Sequence, residues 1–66
     1  MKNRKHGWII AVFLEGMDGA AYEEFCDTEA KAERAEARAW EEHDDVETVT
    51  IGEVWYDPIT GEYEAV

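Results

Sequence analysis

Trp8-Ile9-Ile10-Ala11-Val12-Phe13-Leu14 is the one uninterrupted apolar run in a chain of 66 residues, and its reading decides the fold. It contains no Gly, Pro or charge, is rich in β-branched and aromatic residues, and has the length of a strand rather than a helix. Alternation along a strand sends Trp8, Ile10, Val12 and Leu14 to one face and Ile9, Ala11 and Phe13 to the other. Both faces are apolar. Such a strand belongs in the middle of a sheet with cover on each side.

Upstream, Met1 to His6 reads as a polar, frayed basic arm. Downstream, Glu15-Gly16-Met17-Asp18-Gly19 marks a turn between antiparallel strands, and Ala20 to Cys26, which mixes apolar and acidic positions, fits an edge strand. The chain from Asp27 or Thr28 to about His43 is the single helix. It opens on residues suited to N-capping, continues in Ala, Glu, Lys and Arg, and stops at Asp44-Asp45. Helical spacing groups Thr28, Ala32, Ala35 and Ala39 in one stripe flanked by Trp40 and His43. Ala30, Glu33, Arg34, Ala37 and Glu41 form the solvated side, and Arg38 is spaced to pair with Glu42.

Val46 to Tyr56 resumes strand patterning. Val49 and Ile51 share a face while Val54 and Tyr56 fall on the other, which predicts a bulge at Gly52; without one, Trp55 joins Val49 and Ile51. Asp57-Pro58-Ile59-Thr60-Gly61 is a turn, and Glu62 to Val66 a short last strand. The expected fold is a single α+β domain, residues 1–66, of order β-β-α-β-β: a four-stranded antiparallel sheet, order 2-1-3-4, with one helix on one face. A domain of this size buries only ~60% of the surface of its unfolded chain, so its core is marginal.

Charge bounds the function. From residue 6 onward there are 3 basic against 17 acidic side chains. That field repels nucleic acid and anionic membrane surfaces and attracts basic partners, less so as salt rises. The single cysteine, Cys26, excludes an internal disulfide and fits a reducing compartment; with no signal-peptide pattern and an apolar run too short to cross a bilayer, the expectation is cytoplasmic.

The candidates for chemistry are few. Cys26 precedes a helix N-terminus, but a free Cys at a strand end behaves as a small hydrophobe. Glu41-Glu42-His43-Asp44-Asp45 holds metal-ligand types without the spacing or glycine of a calcium loop, and Gly16 and Gly19 have no Lys with which to cradle phosphate. No catalytic residues, metal or cofactor are expected. The eight aromatics are too many for one face of so small a sheet, which points to a protein interface.

The leading expectation is therefore a non-catalytic, acidic inhibitor that occupies the positively charged nucleic-acid site of a partner protein or nuclease complex, using Glu33, Glu36, Glu41, Glu42, Asp44, Asp45 and Glu47. In size, acidity and lack of catalytic residues the chain resembles small phage-encoded inhibitors of bacterial defence, including anti-CRISPR proteins and DNA mimics; the resemblance carries no motif and no site residues. The alternative is a structural or adaptor homodimer joined through the sheet face that one helix leaves uncovered. In either case Ile9, Ala11, Phe13 and Trp55 are the apolar interface candidates, with Trp8, Ile10, Val12 and Leu14 turned toward the alanine stripe.

Overall fold

The computed structural model describes residues 4–66, and residues 1–3 of the expected arm lie outside them. The elements run β1 (Lys5–Leu14), β2 (Tyr22–Cys26), α1 (Glu29–Glu42), β3 (Val46–Tyr56) and β4 (Tyr63–Ala65). The sheet is antiparallel, ordered β2-β1-β3-β4, and curls into a half-barrel. β1 is central, as its two apolar faces require.

β1 starts earlier than its apolar run. Lys5 and His6, expected to fray, pair with Tyr56 and Trp55. The long β3 offers ladder groups there, and an extended polar segment satisfies them as well as an apolar one does. β2 is shorter than Ala20 to Cys26, because the turn after β1 runs on through Gly16 (φ +80°) and Gly19 (φ +115°). β4 likewise contracts to three residues. The turn before it matches its sequence: the Asp57 carboxylate accepts from the Ile59 N–H at 2.9 Å, and Gly61, at φ +80°, donates to the Asp57 carbonyl at 2.8 Å.

The bulge expected at Gly52 is absent, since Gly52 stays in register opposite Ile9. The shift lies between Phe13 and Leu14, which face Thr48 and Val46 and leave Glu47 as the extra residue. Two consequences follow for the faces of β3. Val46 turns onto the helix side beside Val49 and Ile51, and unbroken alternation puts Trp55 on that same side.

Thr28 caps α1: its hydroxyl accepts from the Lys31 N–H at 3.1 Å. Ala32, Ala35 and Ala39 are buried against Ile10 and Val12, both fully buried, with Cys26 and Val46 completing the core and Trp8, Leu14, Val49 and Ile51 around it. Trp8, Ile10, Val12 and Leu14 thus meet the alanine stripe, as their alternation predicts. Burial of Ile10 and Val12 contributes ~1.5 to 3 kcal/mol each.

The opposite face departs from expectation, because the protein covers it without a second layer. In a flat sheet β2 and β4 would lie ~14 Å apart, three strand spacings, yet Tyr63 Oη on β4 donates to the Glu23 carboxylate on β2 at 3.0 Å. Nearer the start of β1, Phe25 on β2 stacks on Tyr56 on β3, with centroids 4.5 Å apart and planes 14° from parallel. Both contacts bridge over β1, where the small residues Gly7 and Ala11 leave room for them. Ile9 and Ala11, expected to await an outside cover, are each only 7% exposed, and Val54 is 4%. Curling accomplishes what a second helix would otherwise have to do.

Candidate functional site

Glu33, Glu36, Glu41 and Glu42 project from α1, Asp44 and Asp45 occupy the turn after it, and Glu47 is the bulged residue of β3. All are exposed except Glu36, which is half-buried. The turn is anchored rather than loose, since Glu15 N–H donates to the Asp45 carbonyl at 2.8 Å and His43 N–H to the Ala39 carbonyl at 3.2 Å.

Four of the other carboxylates meet a basic side chain. Arg4 meets Glu64 at 2.7 Å, His6 meets Glu53 at 2.5 Å, Lys31 meets Asp27 at 3.0 Å, and Arg38 approaches Glu24 at 3.9 Å. None of the seven takes part. Arg38, spaced for Glu42, turns to β2 instead. Glu15, Asp18, Glu23, Glu29, Asp57 and Glu62 take part in no ion pair among the described residues either, so what distinguishes the seven is their closeness along the chain from α1 to the start of β3.

Trp40 adds an apolar element to this surface. It follows Glu33 by seven positions and Glu36 by four, which places the three on one flank of α1, and it is 48% exposed. By helical spacing Trp40 borders the alanine stripe. The spacing that joins it to Glu33 and Glu36 was already visible, but the exposure was not.

The four apolar interface candidates do not come together. Ile9 and Ala11 are buried and Phe13 is half-buried, lining a groove of about 330 Å³ with Val54 and Tyr63 on the concave face. Trp55 lies on the other face, 42% exposed, beside His6 at a ring separation of 5.3 Å; Trp8 is 5.1 Å from the same imidazole.

The Cys26 thiol is buried, and burial first, then the Glu24 charge, raises its pKa above 9.0, which disfavours the nucleophilic thiolate. His6 is engaged with the two tryptophans and Glu53, and His43 lies 6.1 Å from the Tyr22 ring. Asp27 has its carboxyl pKa held below 3.8 by the hydrogen bond and charge of Lys31. Among the described residues no group of three or more His, Cys, Asp or Glu side chains is placed to hold a metal ion, and no helix is long and apolar enough to cross a membrane.

Comparison with known protein families, curated proteins and solved structures finds no match for this chain.

Proposed function

We propose that the protein is a stoichiometric, non-catalytic inhibitor that docks its acidic surface on the positively charged nucleic-acid-binding site of a partner protein. The observation that carries this reading is the run of seven carboxylates along α1, the turn after it and the start of β3, none of them ion-paired among the described residues, with Trp40 exposed on the same helix. Interfaces of high affinity combine such aromatic anchors with electrostatic steering.

The charge spacing limits how far the surface resembles nucleic acid. A helix of 14 residues spans ~21 Å, over which duplex DNA presents about 12 phosphate charges. Helix, turn and the bulge at Glu47 together offer seven carboxylates, so the mimicry is partial and Trp40 supplies affinity that charge alone would not. The resemblance to phage-encoded inhibitors directs the search to nuclease complexes of bacterial defence.

Binding to such a basic enzyme should weaken steeply with salt and compete with its DNA or RNA. Changing Glu41, Glu42, Asp44 and Asp45 together to Lys should abolish binding while the far-UV circular dichroism stays unchanged. Equal affinity at low and high salt, or simultaneous binding of nucleic acid and inhibitor, refutes the proposal.

The homodimer alternative loses its main support with the closure of the concave face, since Ile9 and Ala11 need no second copy to cover them. Sedimentation in dilute solution separates the two readings: the inhibitor should run as a monomer.

A further inference from the structure

The charges of α1 are segregated. Lys31, Arg34 and Arg38, its only cations, recur at i, i+3 and i+7 and share one flank, opposite that of Glu33, Glu36 and Trp40. With Lys5 of β1 they line a groove of about 540 Å³ that passes the end of β2, where Glu24 and Asp27 are the only acids. Four of the chain's six basic side chains thus meet in one place on a protein of net charge −11. Asp27 holds Lys31, and Glu24 stands off from Arg38 at 3.9 Å, whereas Lys5 and Arg34 take part in no ion pair among the described residues.

The same groove adjoins an open sheet edge. β2 pairs with β1 alone, so among the described residues its outer edge has no partner strand, and its outward N–H and C=O groups are available to an incoming chain. Among the described residues, excess positive charge and unpaired backbone coincide nowhere else on the sheet: beside β4, the other edge, Arg4 faces Asp57, Glu62 and Glu64.

We propose that this edge docks an extended acidic segment of another protein, which adds as a fifth strand beside β2 and sets its carboxylates against Arg34, Arg38 and Lys5. Ladder hydrogen bonds hold the segment, and the cations select for its charge. A second copy of this chain is a poor occupant. Antiparallel pairing of β2 with itself places the two α1 helices on one face of the joined sheet and turns the cations of one groove toward those of the other, which repel. Nucleic acid lacks the peptide backbone that the edge requires, and a long polyanion meets the acidic body beyond the groove. Glu33, Glu36 and Trp40 lie on the side of α1 away from the groove, and the two readings are tested by different variants, this one at Arg34, Arg38 and Lys5 and the inhibitor reading at Glu41, Glu42, Asp44 and Asp45.

The probe is a fluorescein-labelled ten-residue peptide of alternating Glu and Val, followed by fluorescence anisotropy at low salt. The wild-type protein should bind it saturably, and the double variant Arg34→Gln, Arg38→Gln should bind roughly tenfold more weakly, as the loss of two exposed charge contacts implies. Lys5→Gln, at an exposed position, should weaken binding too and serves if the double variant loses its circular dichroism. Replacing Glu by Gln in the peptide, or blocking its alternate backbone N–H groups by N-methylation, should weaken binding at least as much. Undiminished binding in any of these cases overturns the proposal. So does displacement of the peptide by an oligonucleotide of equal charge, or self-association of the protein that the double variant dissolves.

Discussion

Replacing Gly7 by alanine tests how the concave face closes. A Cβ at this position would stand 2.4 Å from Phe25 Cζ and 2.5 Å from the Cys26 carbonyl oxygen, where ordinary contact begins at 3.4 Å. The two obstacles differ in kind. The Phe25 ring can swing aside by giving up its stack on Tyr56, worth ~0.5 to 1.5 kcal/mol. The carbonyl belongs to the ladder in which Trp8 pairs with Cys26, so it moves only if β1 and β2 separate. Overpacking of this kind costs ~1 to 3 kcal/mol, and the lower entropy of the unfolded alanine chain offsets ~0.4 to 1 kcal/mol of that. The net loss of about 1 to 2 kcal/mol is large for a domain of this length, whose total stability is of order 3 to 10 kcal/mol. At ~4 to 8 °C per kcal/mol, Tm should fall by roughly 5 to 15 °C in a circular-dichroism melt. Adding Phe25→Leu to Gly7→Ala should recover only part of the loss, because the carbonyl remains. An unchanged Tm for Gly7→Ala, or full recovery in the double variant, would refute the proposed closure.

The Tyr63–Glu23 bridge predicts a dependence on alkaline pH. Its hydrogen bond to Glu23 holds the Tyr63 hydroxyl pKa above 10.0, so the folded state keeps the proton more tightly than the unfolded one; the stabilisation is whole below about pH 10 and disappears as pH rises through the raised value. Tyr63→Phe should therefore lower stability in urea titrations at pH 7 by less than ~1 kcal/mol, the bond being exposed, and by nothing measurable once Tyr63 ionises. A constant deficit across this range counts against the bridge. Asp27, its carboxyl pKa lowered by Lys31, stabilises the fold above its unfolded pKa near 3.8 and ceases to do so as pH falls through the lower folded value. Asp27→Asn should flatten that part of the acid denaturation curve, and an unaltered curve would dismiss the pair. Cys26, buried and with its thiol pKa raised, should react with a thiol reagent at pH 7 far more slowly in the folded protein than in urea; equal rates would contradict its burial.

The sequence was most legible where one local cause decides the structure. The apolar run placed β1 at the centre, Thr28 marked the helix start, and Asp57 with Gly61 marked the last turn, each through contacts within a few residues. Gly52 misled because a strand glycine has two physical meanings. It reads as a bulge, yet here it pairs in register with Ile9, and an added Cβ would meet nothing within 4 Å; the real bulge falls at Glu47, which no special residue announces. The closure of the concave face was beyond reach because it depends on partners far apart in the chain, Glu23 with Tyr63 and Phe25 with Tyr56. Only the small residues of β1, Gly7 and Ala11, hinted at it.

Charge posed the same problem in a form that bears on function. The positions of the carboxylates and of Lys31, Arg34 and Arg38 could be read from helical spacing, but the wheel does not say which neighbour each flank faces. It therefore assigned Arg34 to a merely solvated side and Arg38 to Glu42. Once β2 lies beside that flank, Arg38 approaches Glu24, Lys31 holds Asp27, and the cations of α1 are drawn to one side. The other flank is acidic because the helical spacing places Glu33 and Glu36 there and no cation. Helical spacing thus separates the two flanks, and packing beside β2 turns the cationic one into a groove while Glu33, Glu36 and Trp40 stay on the other. Reversing the helix cations should consequently alter the groove while leaving the acidic flank competent for its own partner.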